Sequence, residues 1–74
     1  MMKVKSINVG RGKNNGYLVE LVFCEGLGVF EAAEAIVRLK FWGFEEEDIS
    51  EEGAQKEFAS YEEALALMAD CSIE

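Results

Sequence analysis

The sequence predicts an α+β domain, an antiparallel four-stranded sheet in the order ββαββα with both helices packed on one face. Three observations carry that reading. Two segments rich in valine, leucine, isoleucine and aromatics, residues 3–9 and 17–24, flank the polar stretch Gly10-Arg11-Gly12-Lys13-Asn14-Asn15-Gly16. Residues 29–42 take up a helical rhythm that Gly43 stops. Ser60-Tyr61-Glu62-Glu63 spells a capping box at the start of a second helix.

Taken in order, the first two segments read as a β-hairpin with a long tip, because Asn15-Gly16 accepts the positive φ angles of a turn. In the second strand Tyr17, Val19, Leu21 and Phe23 share one face and Leu18, Glu20, Val22 and Cys24 the other. Both faces are largely apolar, so the strand is expected to be central or covered on its second side by a partner. In the helix that follows, Glu31 and Glu34 lie near the start and Arg38 and Lys40 near the end, as the macrodipole favours. At 100° per residue Phe30, Ala33, Val37, Phe41 and Phe44 form one stripe, expected to cover the sheet, while Trp42 falls on the opposite side with Glu31, Glu34, Ala35 and Arg38. Residues 45–58 suggest a second hairpin around Glu52-Gly53, with a short helix from Ser50 as the alternative. The capping box then opens a helix to about Ala69, with Tyr61, Leu65 and Met68 at helical spacing and Ala64 and Cys71 alongside.

A chain of 74 residues, half of them hydrophobic and 11% aromatic, has material for one compact domain over residues 1–74 and no second core. With so small a core a homodimer is plausible. No run of apolar residues follows Lys3 and Lys5 as a secretory leader would require, and the most apolar stretch, residues 29–44, is interrupted by Glu31, Glu34, Arg38 and Lys40. The expected location is cytoplasmic, without membrane contact. Cys24 and Cys71 form no Cys-x-x-Cys pair and are expected to be reduced.

Histidine is absent, which removes the commonest general base and metal ligand together. Ser6, Ser50, Ser60 and Ser72 therefore lack an imidazole to activate them, as do both thiols. An enzyme would need a ligand-sized pocket lined by Cys24, Tyr17 or Tyr61. The glycine-rich tip matches neither the Walker nor the dinucleotide spacing and is followed by a strand. The acidic run Glu45-Glu46-Glu47-Asp48 is contiguous, whereas calcium loops alternate ligands with spacers. The expectation is a protein with no catalytic residues, no metal and no cofactor.

Charge is the strongest functional signal. Fifteen acids against seven bases leave −8 overall, which excludes a nucleic-acid binder working through a general positive field. The distribution is polarised: Lys3, Lys5, Arg11 and Lys13 stand without an acid in residues 1–19, and eleven acids face Lys56 alone in residues 45–74. Such a chain is expected to act by docking on a basic protein surface. Glu45, Glu46, Glu47, Asp48, Glu51 and Glu52 would be its electrostatic face, with Trp42, beside Arg38, as apolar anchor. In size and charge it resembles small acidic inhibitors encoded by phages and mobile elements, including some anti-CRISPR proteins, whose carboxylates imitate nucleic-acid phosphates; the resemblance rests on composition and on no motif. The alternatives are a small homodimeric structural or assembly protein, with Trp42 across the twofold axis, and a weak nucleic-acid binder using Lys3, Lys5, Arg11 and Lys13.

Overall fold

The computed structural model describes residues 1–74. Its elements are β1 (Met2–Arg11), β2 (Tyr17–Phe23), α1 (Val29–Phe41), a 3₁₀ turn (Glu46–Asp48), β3 (Gly53–Phe58), α2 (Tyr61–Ala69) and β4 (Cys71–Ile73). The sheet runs β3-β2-β1-β4. β1 and β2 pair antiparallel, as do β2 and β3, while β4 lies parallel to β1, with Met2 opposite Cys71 and Val4 opposite Ile73. The α+β class and a four-stranded sheet with two helices stand, but the sheet is mixed, the order is ββαβαβ, and the fourth strand is β4 and not the first arm of a hairpin in residues 45–58. Three residues, Cys71-Ser72-Ile73, are too few to show a strand period, which is why β4 leaves no pattern in the sequence. Two backbone bonds flank that pairing, Met2 N to Asp70 O at 2.8 Å and Glu74 N to Val4 O at 3.0 Å.

Residues 45–58 form only the remnant of the expected hairpin. Ile49 bridges Ala54, and Ser50 N donates to Gly53 O at 2.8 Å across the turn. The residues before it close a 3₁₀ turn instead, because the Asp48 carboxylate accepts the Glu45 backbone N–H at 2.8 Å. Where β3 begins, a Cβ on Gly53 would collide with the Leu21 carbonyl oxygen and lie 3.1 Å from the Val22 Cα, so only glycine allows this approach of β3 to β2.

β2 is central, as its two apolar faces suggest. Val19 and Leu21 are buried beneath the helices in one cluster with Met2, Val4, Ala54 and Phe58. Leu18, Glu20 and Val22 turn to the other side, where their ladder neighbours are Gly10, Asn8 and Ser6 on β1 and Glu57, Gln55 and Gly53 on β3. That second face is polar enough to meet water. α1 contributes Ala35 and Leu39 to the same core, and α2 contributes Ala64 and Leu67, which places both helices on one face.

The rotation of α1 is the largest departure from the expected fold. Of the stripe Phe30, Ala33, Val37, Phe41 and Phe44, only Phe44 is buried. Phe30 is 90% exposed, Phe41 84% and Val37 68%, whereas Leu39, on the opposite side, is fully buried. Small residues explain the choice: Ala32 and Ala35 let the backbone approach the sheet, and Leu39 fills the space between them and α2. The end of the helix confirms the orientation. Gly43, at φ 92°, donates to Lys40 O at 3.0 Å while Phe44 N donates to Leu39 O at 3.0 Å, a Schellman ending that folds Phe44 back into the core beside Leu39. α2 opens as its sequence signals, with Ser60 Oγ accepting the Glu63 N–H at 3.2 Å. No helix is long and apolar enough to cross a membrane.

Candidate functional site

Turning α1 brings Arg38 and Trp42 onto the α2 side, where both meet a residue the sequence did not single out. Arg38 Nη1 reaches the two carboxylate oxygens of Asp70 at 2.8 and 2.9 Å, and Trp42 Nε1 donates to Asp70 Oδ2 at 3.1 Å. Trp42 is thus a half-buried member of the α1–α2 seam, packed on the core, and not an outward anchor out of phase with it. A signal for Asp70 existed. A carboxylate at the C-cap of a helix opposes the macrodipole, so it calls for cationic or donor partners from elsewhere.

The indole N–H of Trp42, and then Arg38, outweigh partial burial and hold the Asp70 carboxyl below its ordinary value of 3.8. A carboxyl depressed in the folded state stabilises the fold when ionised, so its contribution is complete above 3.8 and is lost as pH falls through the lower, folded value. Asp70→Asn is expected to cost about 1 to 2 kcal/mol at pH 7, the range of a partly exposed charged hydrogen bond. In urea titrations the gap between wild type and variant should narrow at pH 3; an equal gap at both pH values would refute this role. Next in sequence, burial and the Asp70 charge push the Cys71 thiol up to about 11, which leaves it protonated at neutral pH.

The acidic residues do not form one surface with Trp42 and Arg38. Glu45, Glu46 and Glu47 border a recess beside Lys40, Gly43 and Phe44, with Lys40 Nζ 3.3 Å from Glu46 Oε1. Glu47, Asp48 and Glu52 gather with Glu20 around a shallow depression along β2 and β3. Glu51 and Glu52 join Glu25 at the rim of a larger cleft of about 770 Å³. Its lining is largely apolar, made by Phe23 at the end of β2, Leu27 ahead of α1, Ala32, Ala35 and Ile36 of α1, and Ile49. Cys24 also lines it, and Lys5 stands at the rim with its amine 3.8 Å from Glu25 Oε1. Glu20, Glu25 and the cleft itself were missed, because the turn at residues 50–53 meets the end of β2 only in the folded chain. No three or more cysteine, aspartate and glutamate side chains converge as a metal-binding set.

The basic hairpin tip is organised around an acid. Glu57 of β3 accepts the backbone N–H of Gly16 at 2.7 Å and of Asn14 at 3.1 Å. Gly12 and Gly16 leave room for that carboxylate, since a Cβ on Gly12 would collide with it and one on Gly16 would lie 2.6 Å from Oε2. The amides that could cradle a phosphate are therefore occupied by the protein's own anion. Comparison with family models, with curated proteins and with solved structures gives no match.

Proposed function

We propose that the protein is a non-enzymatic binding module whose cleft takes a basic, amphipathic segment of a protein partner. The carrying observation is the union of an apolar floor, Phe23, Leu27, Ile36 and Ile49, with the rim carboxylates Glu25, Glu51 and Glu52. Apolar burial supplies the affinity of such a pair, at roughly 25 cal/mol per Å², and the carboxylates select and steer a lysine- or arginine-bearing segment. Glu20, Glu47 and Asp48 extend the negative surface along β2 and β3, so the field at the cleft mouth exceeds that of its rim alone. Nucleic-acid-binding surfaces, where basic side chains alternate with apolar ones, belong to the partner class with this chemistry. An inhibitor that covers one of them is the use that the size and charge of the chain suit best. Glu57 within the tip argues against the hairpin as a nucleic-acid contact.

The test is fluorescence anisotropy with a labelled synthetic peptide carrying leucines on one helical face and lysines on the other, against its lysine-to-glutamate counterpart. The basic peptide should bind and the acidic one should not. Affinity should fall about tenfold between low and 0.5 M salt, and about tenfold with Glu51→Lys plus Glu52→Lys. Equal binding of both peptides, binding of neither, or indifference to the double variant would overturn the proposal.

A further inference from the structure

The rotation of α1 that buries Leu39 leaves Val29, Phe30, Ala33, Val37 and Phe41 facing solvent along a 13-residue helix. Three large side chains at helical spacing, each more than two-thirds exposed, form a seam of the kind another helix covers. We propose that this seam is covered by the α1 helix of a second copy of the chain, packed antiparallel across a twofold axis.

The charges beside the seam choose that occupant. Glu31 and Glu34 lie toward the start of α1 and Arg38 and Lys40 toward its end, so the flanks are balanced overall and polarised along the helix. A strongly basic or strongly acidic partner has no counterpart in such a pattern, whereas a reversed copy of the same helix matches it. At 100° per residue Glu34, Glu31 and Arg38 fall on one side of the Phe30–Val37–Phe41 line. A twofold axis across an antiparallel pair keeps each side with its own equivalent, so Glu34 of one copy comes opposite Arg38 of the other. In a parallel pair each side meets the partner's other side, the one that carries Ala33 and Lys40, so Arg38 and Glu34 would not be paired with each other. Arg38 engages Asp70 through Nη1, which leaves its remaining N–H donors for the second copy. Macrodipoles also oppose each other only in the antiparallel arrangement.

The same register seats the aromatics. Phe30 of one copy meets Phe41 of the other, at the mouth of a recess of about 570 Å³ between α1 and α2 lined by Val37, Trp42, Ala66 and Ala69. Phe41 and Trp42 already stand edge to face at 5.9 Å, and the incoming ring extends that cluster. Ala66 and Ala69 are small and exposed, so the recess is open to it.

Sedimentation velocity from micromolar to millimolar concentration tests the proposal. Wild type is expected to move from 8.2 kDa toward twice that mass. Val37→Glu should weaken association about a hundredfold while circular dichroism and melting of the dilute monomer are retained, since Val37 is 68% exposed in its own chain. Glu34→Gln tests the orientation: it removes the attraction to Arg38 that the antiparallel pair makes across the axis, so it should loosen the dimer. A wild type that stays monomeric throughout, a dimer that survives Val37→Glu, or a dimer that Glu34→Gln does not loosen would overturn the proposal. Glu51→Lys plus Glu52→Lys, which alters only the cleft, should leave the mass unchanged, and a dimer lost with it would equally overturn the assignment to α1.

Discussion

Leu39→Ala is expected to destabilise the domain by about 3 kcal/mol, whereas Phe41→Ala, two residues on and larger in volume, should cost less than about 0.5 kcal/mol in dilute solution. The contrast follows from the rotation of α1. Leu39 is fully buried in the cluster that includes Ala35, Phe44, Ala64 and Leu67, and it is the one large buried side chain that α1 contributes, so its removal opens a cavity beneath that helix. Phe41 rests on the surface against the edge of Trp42 and little else. For a domain of this size a 3 kcal/mol loss lowers the melting temperature by roughly 15 °C, which differential scanning calorimetry resolves easily. Should Phe41→Ala prove the costlier of the two, the aromatic stripe faces the sheet after all, and the dimer seam would be lost with it.

Gly53→Ala is expected to cost about 2 to 3 kcal/mol, the range for forcing one carbon into a space with no slack. Its Cβ would meet the Leu21 carbonyl, which belongs to the β2 backbone and cannot swing aside as a side chain would. The strain would fall where β3 starts, beside Glu51 and Glu52 and the Ile49–Ala54 bridge, so the rim of the cleft would loosen with it. Gly10→Ala provides the control: nothing lies within 4 Å of its Cβ position, and urea midpoints should be unchanged or slightly higher. Equal effects at the two glycines would show that β3 does not approach β2 as described.

Features with local causes were legible in the chain. The β1–β2 hairpin, the Gly43 stop and the Ser60 cap each depend on residues within a few positions of one another, and each appears where expected. The rotation of α1 was not legible, because the helix is apolar on two sides. Counting hydrophobic volume favours the phenylalanines, while packing against a sheet favours the narrow side of Ala32, Ala35 and Leu39. Arg38 and Trp42 made that side look like surface, and Asp70, which satisfies both, lies 28 residues or more away in the chain. β4 escaped notice for its brevity. The acidic segment was recognised as the negative surface, yet its division between two depressions and a cleft depends on where the 3₁₀ turn and the Ile49 bridge put each carboxylate. Glu57 in the hairpin tip joins residues more than forty apart, beyond the reach of any spacing rule.

Asp70 has two ends, and both are in use. Its carbonyl receives the Met2 N–H beside the β1–β4 pairing, while its carboxylate gathers the guanidinium and indole of α1. Closing the loop that carries β4 across to β1 is the longest-range step in assembling this chain, and the entropy of that closure is offset only once short-range elements exist to receive it. Edge strand and interhelical junction therefore share one residue. A chain whose β4 detaches loses a backbone anchor of Asp70, so opening at the sheet margin loosens the Arg38 and Trp42 junction of the helical layer as well.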